Sequence, residues 1–417
     1  MNPRRWRELL LGFSAALGWV YAASDGVSVS KLPVLDLNTG GEEIQSTTKV
    51  PCSVGWIPPD ALTGRLGNTN SVGNLKAQVK FHGASSQAYE KKSFALSLDA
   101  PTPWLGLHST RQWVLNAAYI DCSMMRHKLS YDLFQSLASP GNKRPASSSR
   151  FVEVMLNGHY HGAYLLMERV DGSLLGFAPK GRPSKIPSVI YKAIDHEANF
   201  RQSGHTGYEQ REPNPEEREL WPPLDELNQF VSESTDADFF NEKAGIDWRL
   251  DTDNAIDFHL LVLLTSNMDG IDKNFILGRD AVTEASPHPK FFFVPWDYDA
   301  TFGRNWEGSP VEPTFWLSNN LFDRLLSNPG YRQKYATRWN SLRKRQFSVE
   351  NLHRMIDENV RVFGPAAQRN EKRWSPIRGN DSGSLAFTED VAQMKDWIVA
   401  RTRWLDAAIE RETRTQP

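Results

Sequence analysis

Phe151-Val-Glu-Val-Met-Leu-Asn157-Gly158-His-Tyr160-His-Gly-Ala-Tyr-Leu-Leu-Met-Glu168 is the stretch that says most about the fold of this chain. Two runs rich in β-branched and aromatic residues flank an Asn-Gly pair, which is the favoured pair for a two-residue type I′ turn. We therefore predict a β-hairpin here, in which residues 151–156 and 160–168 form the two strands.

The spacing of apolar and polar residues differs on the two sides of this hairpin. Upstream, short alternating runs predict strands, and one segment has helical spacing. Downstream, residues 172–220 are polar and proline-bearing, which indicates an insertion or a long connector, and helical spacing then dominates around one further pair of short strands. The predicted upstream elements are strands at 75–81, 91–98 and 113–116 and a helix within 121–137. Those downstream are helices at 224–231 and 253–266, strands at 274–278 and 290–296, and helices from 321 onward with a break at 378–384.

This order predicts an α+β fold with two lobes, a strand-rich N-lobe and a helical C-lobe, and a cleft between them. It is the layout of a protein-kinase-like fold. With 417 residues, 40% hydrophobic and 24% charged, the chain is globular and long enough for two lobes. A net charge of −2 gives no long-range attraction to nucleic acid or anionic membranes, so we expect no nucleic-acid partner.

The N-terminus has the features of a signal peptide. Arg4, Arg5 and Arg7 precede an apolar run over 9–23 that ends in small residues. Cleavage after residue 22 or 23 would leave an exported protein, whereas an uncleaved segment would anchor it to a membrane. The chain has two cysteines, Cys52 and Cys122. In an exported chain two cysteines are able to pair, but their sequence positions do not decide whether these two do.

The segment from Asn267 to Asp299 carries the chemistry. Asp269 is followed five residues later by Asn274, and Asp297 ends an apolar run. In protein kinases a catalytic-loop Asp accepts the substrate hydroxyl proton, while an Asn five positions on and a downstream Asp hold Mg²⁺. Asp299 would face the same side as Asp297 in an extended segment, where it is either a second metal ligand or a turn cap.

Five segments, in order along the chain, resemble the CotH kinase family, the atypical protein kinases named for a spore-coat protein. The segments are HGASSQAYEKKSF (82–94), WVLNAAYIDCSMMRHKLSYDL (113–133), VEVMLNGHYHGAYLLMERVD (152–171), DFHLLVLLTSNMDGIDKNF (257–275) and FFFVPWDYDATFG (291–303). The resemblance implies a kinase-like fold, ATP and Mg²⁺ or Mn²⁺ as cofactors, and phosphorylation of protein hydroxyls.

The resemblance also implies roles for single residues. Asp269 matches the catalytic Asp, Asn274 and Asp297 match metal ligands, and Lys91 matches the lysine that contacts the nucleotide phosphates. The remaining expected cofactor contacts are Gly83, Ser85, Ser86, Arg126 and Glu168. The chain departs from the family pattern at four positions. His82 stands where members commonly carry Arg, Ala84 where they carry Asn, Glu90 where they carry Pro and His127 where they carry Asn.

Together these observations predict an exported kinase that uses ATP and a divalent metal to phosphorylate Ser or Thr hydroxyls of an unidentified protein. Two alternatives remain open: a non-catalytic surface or adhesion protein that retains the fold, and a metal-dependent hydrolase that uses the Asp cluster. The predicted division is a signal peptide (1–23), an extension of loops and strands (24–75) and a kinase-like domain (76–410). Within that domain we expect an N-lobe at about 76–171, the polar insertion at 172–220 and a C-lobe at about 220–410.

Overall fold

A computed structural model of the chain describes residues 32–57, 72–177, 184–374 and 385–414. The predicted signal peptide and the predicted break at 378–384 lie outside the described residues. In the part of the chain that the structure describes, no helix has the length and apolar character needed to cross a membrane.

Seven strands form a closed barrel in the order β1-β2-β3-β4-β5-β7-β6. Neighbours are antiparallel except β1 and β6, which close the barrel in parallel register. The strands are β1 (Val34–Asn38), β2 (Val50–Ile57), β3 (Val72–His82), β4 (Ser93–Thr102), β5 (Thr110–Asn116), β6 (Ser149–Leu156) and β7 (His159–Glu168).

The barrel encloses its own apolar core because alternate residues of its strands point inward. Fully buried members of this core are Leu35, Leu37, Val79, Leu96, Trp113, Val152, Val154, Tyr164 and Leu166. The predicted hairpin is confirmed as β6–β7, and Asn157 and Gly158 both have positive φ, 50° and 78°, as a type I′ turn requires.

Four further strands form a second sheet in the order β11-β10-β8-β9. They are β8 (Val189–Ala193), β9 (Tyr208–Glu212), β10 (Phe275–Arg279) and β11 (Phe292–Pro295). The predicted pair at 274–278 and 290–296 is therefore present. The segment 172–220, which we expected to be a polar connector, also contributes two strands, since the run Val-Ile-Tyr-Lys-Ala within it is almost fully buried.

The helices are α1 (Arg126–Gln135), α2 (Pro222–Glu233), α3 (Asp236–Phe239), α4 (Thr252–Thr265), α5 (Asn320–Ser327), α6 (Pro329–Arg343), α7 (Val349–Trp374) and α8 (Phe387–Thr413). Helix α4 is rich in apolar residues and is buried on all sides along nearly its whole length. Asp251 caps its start, and the Asn254 amide bonds the backbone of Phe293 in β11 through both its oxygen and its nitrogen.

The predicted α+β class is confirmed. The closed barrel is more than the strand-rich lobe that we predicted, because β1 and β2, from the supposed N-terminal extension, are needed to complete it. The two-lobed kinase-like arrangement stays a prediction. Cys52 and Cys122 are both free thiols and both are buried, so no disulfide joins them.

Candidate functional site

Two loops meet at the end of α4. We call residues 267–274 the Asp-Asn loop and residues 297–303 the acidic loop. Ser266 ends α4 in the left-handed conformation (φ 51°), which turns the chain away from the helix axis. The Asn267 amide then accepts a hydrogen bond from the Gly270 N–H (2.9 Å) and donates one to the Asp297 carbonyl (3.2 Å). Asn267 therefore closes the first loop and joins it to the second.

Asp269 lies at the accessible side of the Asp-Asn loop, where its side chain is 39% exposed. The Lys273 ammonium is 3.1 Å from its carboxylate, and the His196 ring nitrogen is 3.8 Å away. A carboxylate in this position is open to an incoming hydroxyl group and is paired with a lysine ammonium.

Asn274 joins the Asp-Asn loop to β10. It has positive φ (56°), which Asn tolerates better than most residues, and its N–H donates to the Ala193 carbonyl at 2.9 Å. The pairing of Phe275 with Pro295 places Asn274 beside Trp296, one residue before Asp297. Antiparallel pairing therefore brings the two expected metal ligands to the same end of the sheet.

The acidic loop presents a cluster of possible metal ligands. One ligand atom from each of His127, Asp297 and Asp299 lies within 4.8 Å of the other two. The His127 Nε2 is 3.4 Å from an Asp297 carboxylate oxygen, and the Asp297 side chain is 42% exposed. Asp297 has positive φ (61°), and its N–H donates to the Tyr131 hydroxyl at 2.9 Å.

The two carboxylates of the acidic loop have pKa values that are pushed apart. Burial and the neighbouring Asp297 charge raise the pKa of Asp299 to about 7. Burial also acts to raise the pKa of Asp297, but His127 and Lys192 outweigh it and hold that pKa below its ordinary value. Burial of Asp299 beside the charged Asp297, and the contact of His127 with Asp297, account for this difference. A bound cation would stabilise both ionised forms.

Helix α1 holds the acidic loop in position through Arg126. The buried Arg126 guanidinium donates to the Thr301 carbonyl (2.8 Å) and pairs with Asp121 (2.5 Å) and Asp390 (2.6 Å). At the other end of the loop, the Phe302 N–H donates to the Thr265 carbonyl (2.8 Å). Arg126, which the resemblance suggested for cofactor binding, is thus engaged with protein groups that position the loop.

The turn after β3 borders the same site from the barrel. Gly83 has φ of +105°, and a Cβ there would meet the Ser86 side-chain oxygen at 1.9 Å, so the tight Gly-Ala-Ser-Ser turn requires glycine. Asp297 influences the pKa of His82, and Asp299 that of Tyr89, so both ends of this turn lie within electrostatic reach of the acidic loop. Ser85 is exposed and Ser86 is half-buried in this turn.

Two lysines are candidates for contact with a phosphate, and they lie in different surroundings. The Lys91 ammonium is buried, donates to the carbonyls of Ala117 (2.8 Å) and Ala163 (2.5 Å), and lies 4.5 Å from the Tyr164 ring centroid. The half-buried Lys192, on β8, lies over the Trp296 ring at 5.4 Å.

Lys192 is also within the field of Asp297. Burial lowers the pKa of Lys192, and the Asp297 carboxylate acts in the opposite direction. Within the described residues its ammonium has no hydrogen-bond partner.

Glu168 accepts hydrogen bonds from the backbone N–H groups of His108 (2.5 Å) and Ser148 (3.1 Å) and is 3% exposed. It borders a cavity of about 410 Å³ that is also lined by Asp132 and Gln135. Its carboxylate therefore already bonds the protein backbone.

The sequence analysis missed several residues of this site. His127 was noted only as a departure from the family pattern. Lys192 fell in the supposed connector, where the β-rich run Val-Ile-Tyr-Lys-Ala was the available signal for a strand. Lys273 and Asn267 lie within the quoted motif, but nothing in their spacing pointed to the contacts that they make.

Comparison with known proteins gives two findings. A model of the family described as CotH kinase protein matches residues 79–405. Inner spore coat protein H of Bacillus subtilis (strain 168) is 28% identical over 305 residues, which are 69% of this chain and 78% of that protein.

Proposed function

The chain belongs to the CotH kinase protein family, and on that premise we propose that it is an exported, ATP- and divalent-metal-dependent kinase of protein Ser or Thr hydroxyls. The observation that carries the proposal is the geometry at the end of α4. There the Asp-Asn loop is joined through Asn267 to an acidic loop with two clustered carboxylates. Elements of this kind are the acidic parts of a phosphoryl-transfer site.

The residues present fit a divalent cation. Carboxylate and amide oxygens are the ligands that Mg²⁺ and Mn²⁺ prefer. Asp297 and Asp299 offer carboxylates, and the pairing of Phe275 with Pro295 sets Asn274 beside Trp296, at the same end of the sheet. When bound, the cation would neutralise charge on the nucleotide phosphates. We assign Asn274, Asp297 and Asp299 to hold it.

The proposed reaction transfers the terminal phosphoryl group of ATP. Asp269 orients the substrate hydroxyl and accepts its proton as a bond forms between that oxygen and the γ-phosphorus. The bond between the γ-phosphorus and its bridging oxygen breaks, and ADP leaves with the electron pair of that bond. Lys273, 3.1 Å from Asp269, pairs with the carboxylate and holds it in position before transfer.

A cation from the protein must face the nucleotide phosphates, and we propose Lys192 for this contact beside Lys91, which the resemblance suggests. Lys192 stands over Trp296, next to Asp297. The Lys91 ammonium must give up its bonds to the Ala117 and Ala163 carbonyls before it reaches a phosphate. The turn at Gly83, Ser85 and Ser86 would approach the phosphates through its backbone N–H groups.

The first experiment measures transfer of radiolabelled γ-phosphate from ATP to protein, with Mg²⁺ or Mn²⁺, for the chain from residue 24 onward. Wild type is compared with Asp269→Asn and Asp297→Ala. We expect label on protein for the wild type, and a loss of about 10²–10⁴-fold for Asp269→Asn if it acts as a general base. Absence of label together with absence of metal-dependent ATP binding would overturn the kinase proposal.

A second experiment separates the two lysines by ATP affinity. Lys192→Met is expected to weaken ATP binding by about tenfold or more, the value of one charge-assisted contact. The exposed Lys290→Met is the matched control and should bind ATP as the wild type does. If Lys91→Met alone weakens ATP binding while its thermal stability is unchanged, Lys91 is the phosphate contact and Lys192 is not.

The alternative is a non-catalytic protein that keeps the fold for binding. The name of the Bacillus subtilis relative, inner spore coat protein H, describes a coat component and not a reaction. Metal-dependent ATP binding without transfer to any protein would favour this alternative. Product release from a carbohydrate or phosphoester without nucleotide would instead favour the hydrolase.

Export is part of the proposal because the N-terminal segment has the charge and length pattern of a signal peptide. The proposed partner is a protein substrate, and the net charge of −2 gives no reason to expect a nucleic acid. Mass measurement of the N-terminus of the protein recovered from the membrane and from the medium would distinguish cleavage after residue 22 or 23 from retention as a membrane anchor.

A further inference from the structure

His127 is a buried histidine at the start of α1 that faces the acidic loop. It is the second residue of α1, it is 4% exposed, and its ring packs edge-on against Tyr131 one turn later. Tyr131 accepts the Asp297 N–H, so the same face of α1 presents both side chains to the acidic loop. The helix therefore holds an imidazole against the carboxylates that we assign to the metal.

The distance between His127 and Asp297 fits two ligands of one ion. The Nε2–Oδ1 separation is 3.4 Å. A charge-assisted hydrogen bond is normally about 2.7–2.9 Å, whereas adjacent ligands on an octahedral ion at about 2.1 Å lie about 3 Å apart. All three ligand atoms of the cluster lie within 4.8 Å of one another, which leaves room for one ion between them.

The other imidazole nitrogen needs a partner of its own. Within the described residues, Nδ1 of His127 is buried and has no hydrogen-bond partner. A metal-bound imidazole normally donates its second N–H to a protein group or a water, so this assignment requires a water at Nδ1. The assignment therefore stands on the distance from Nε2 to Asp297 and on the three-residue cluster.

We propose that His127 is a nitrogen ligand of the cation at the acidic loop, so that this site prefers a transition-metal ion such as Mn²⁺ over Mg²⁺. The inference rests on the proposed function for the presence of a metal. Its physical basis is ligand type: Mg²⁺ prefers oxygen ligands, while imidazole nitrogen binds first-row transition metals. Where family members commonly carry Asn, an amide oxygen would favour the harder ion.

The direct test is pulsed electron paramagnetic resonance of Mn²⁺ bound to the nucleotide-free wild-type protein. We expect echo modulation from a coupled ¹⁴N nucleus in unlabelled protein. In protein labelled with ¹⁵N only at histidine, the ¹⁴N signal should be replaced by the ¹⁵N signal. This readout needs neither catalysis nor a variant that folds.

The second test compares affinities for Mn²⁺ and Mg²⁺ by calorimetry. His127→Asn should weaken Mn²⁺ binding by at least about tenfold, in the range typical of losses at metal sites, and leave Mg²⁺ binding unchanged or tighter. His159→Asn, at the exposed first residue of β7, is the matched control and should preserve both affinities.

The outcomes separate this inference from the proposed function. Mn²⁺ bound without nitrogen coupling, with the same Mn²⁺ to Mg²⁺ preference in His127→Asn, would overturn the role of His127 and leave the kinase proposal standing. Failure of the wild type to bind either ion, with or without ATP, would overturn both.

Discussion

Replacement of Arg126 by methionine tests whether the ion cluster beneath the acidic loop holds the fold together. Arg126 is 1% exposed, and its guanidinium bonds two carboxylates that are equally buried, those of Asp121 and Asp390. It also donates to the Thr301 carbonyl at 2.8 Å. Methionine fills a similar volume but leaves both carboxylates without their main cation.

The expected cost follows from this burial. Breaking a buried ion pair by removing one partner destabilises proteins by about 3–5 kcal/mol, because an uncompensated charge remains in the interior. At about 2.1 cal/mol/K of unfolding entropy per residue, a chain of 417 residues loses roughly 3–6 °C in Tm. Arg304, 3.4 Å from Asp390, compensates part of the charge and places the expected loss toward the lower end of that range.

The pH dependence of this loss has a definite sign. Burial acts to raise the pKa of Asp390, but Arg126 outweighs it, so the pKa is held below its ordinary value. In the wild type this stabilisation is present above the ordinary carboxyl pKa and is lost as the pH falls through the folded-state pKa. Without Arg126 burial dominates, the pKa rises, and the variant loses stability as the pH rises through that higher value.

The assay is urea unfolding of both proteins at about pH 8 and about pH 4, where the loss should be large and small respectively. Arg354→Met is the matched control, since Arg354 pairs with Glu358 at the surface (56% and 55% exposed) and should cost less than about 1 kcal/mol. Equal losses for the two variants at about pH 8, or a loss for Arg126→Met that grows toward acid, would refute this account.

Three further predictions concern single positions. Gly162→Ala should lower the free energy of unfolding by about 1–3 kcal/mol more than Gly141→Ala, as measured by urea unfolding. A Cβ at Gly162 (φ +127°) would meet a tryptophan ring nitrogen of α7 at 2.7 Å, whereas a Cβ at Gly141 would meet nothing within 4 Å. Cys52 and Cys122 should resist iodoacetamide in the folded protein, because both are buried thiols and burial raises the pKa of Cys52 to about 11. Both should react fully in urea without reductant, and a requirement for reductant would contradict this. Glu168→Gln should lower stability by about 1–3 kcal/mol and leave ATP affinity unchanged, because one of the two backbone N–H groups that donate to the carboxylate loses its acceptor. Weaker ATP binding at equal stability would instead support a cofactor role for Glu168.

Much of the local structure was readable from sequence. The Asn157-Gly158 pair predicted its hairpin, because only a few residue types adopt two consecutive positive φ angles without strain. The helical spacing of α4 and the apolar run that ends at Asp297 likewise set where a helix and a strand stop. These features depend on neighbours a few residues away, and the family resemblance rests on the same segments.

The buried side chains were not readable in this way. A lysine beside a strand is solvated by default, and nothing near Lys91 in sequence shows that it is enclosed by carbonyls 26 and 72 residues away. His127 and Asp297 are 170 positions apart, so only the packing of α1 against the acidic loop brings them to 3.4 Å.

The sequence by itself determined the α+β class, the family, and the Asp269–Asn274 and Asp297 spacing. It also placed most strands and helices from β3 onward, but not β1, β2, β8 or β9. The tertiary structure decided that β1 closes a barrel against β6, that Arg126 supports the acidic loop and that His127 joins the carboxylates. The physical reason is the distance along the chain over which each effect acts. Backbone preference and side-chain periodicity act over a few residues and are written in the local sequence, whereas contacts between distant segments depend on how whole elements pack.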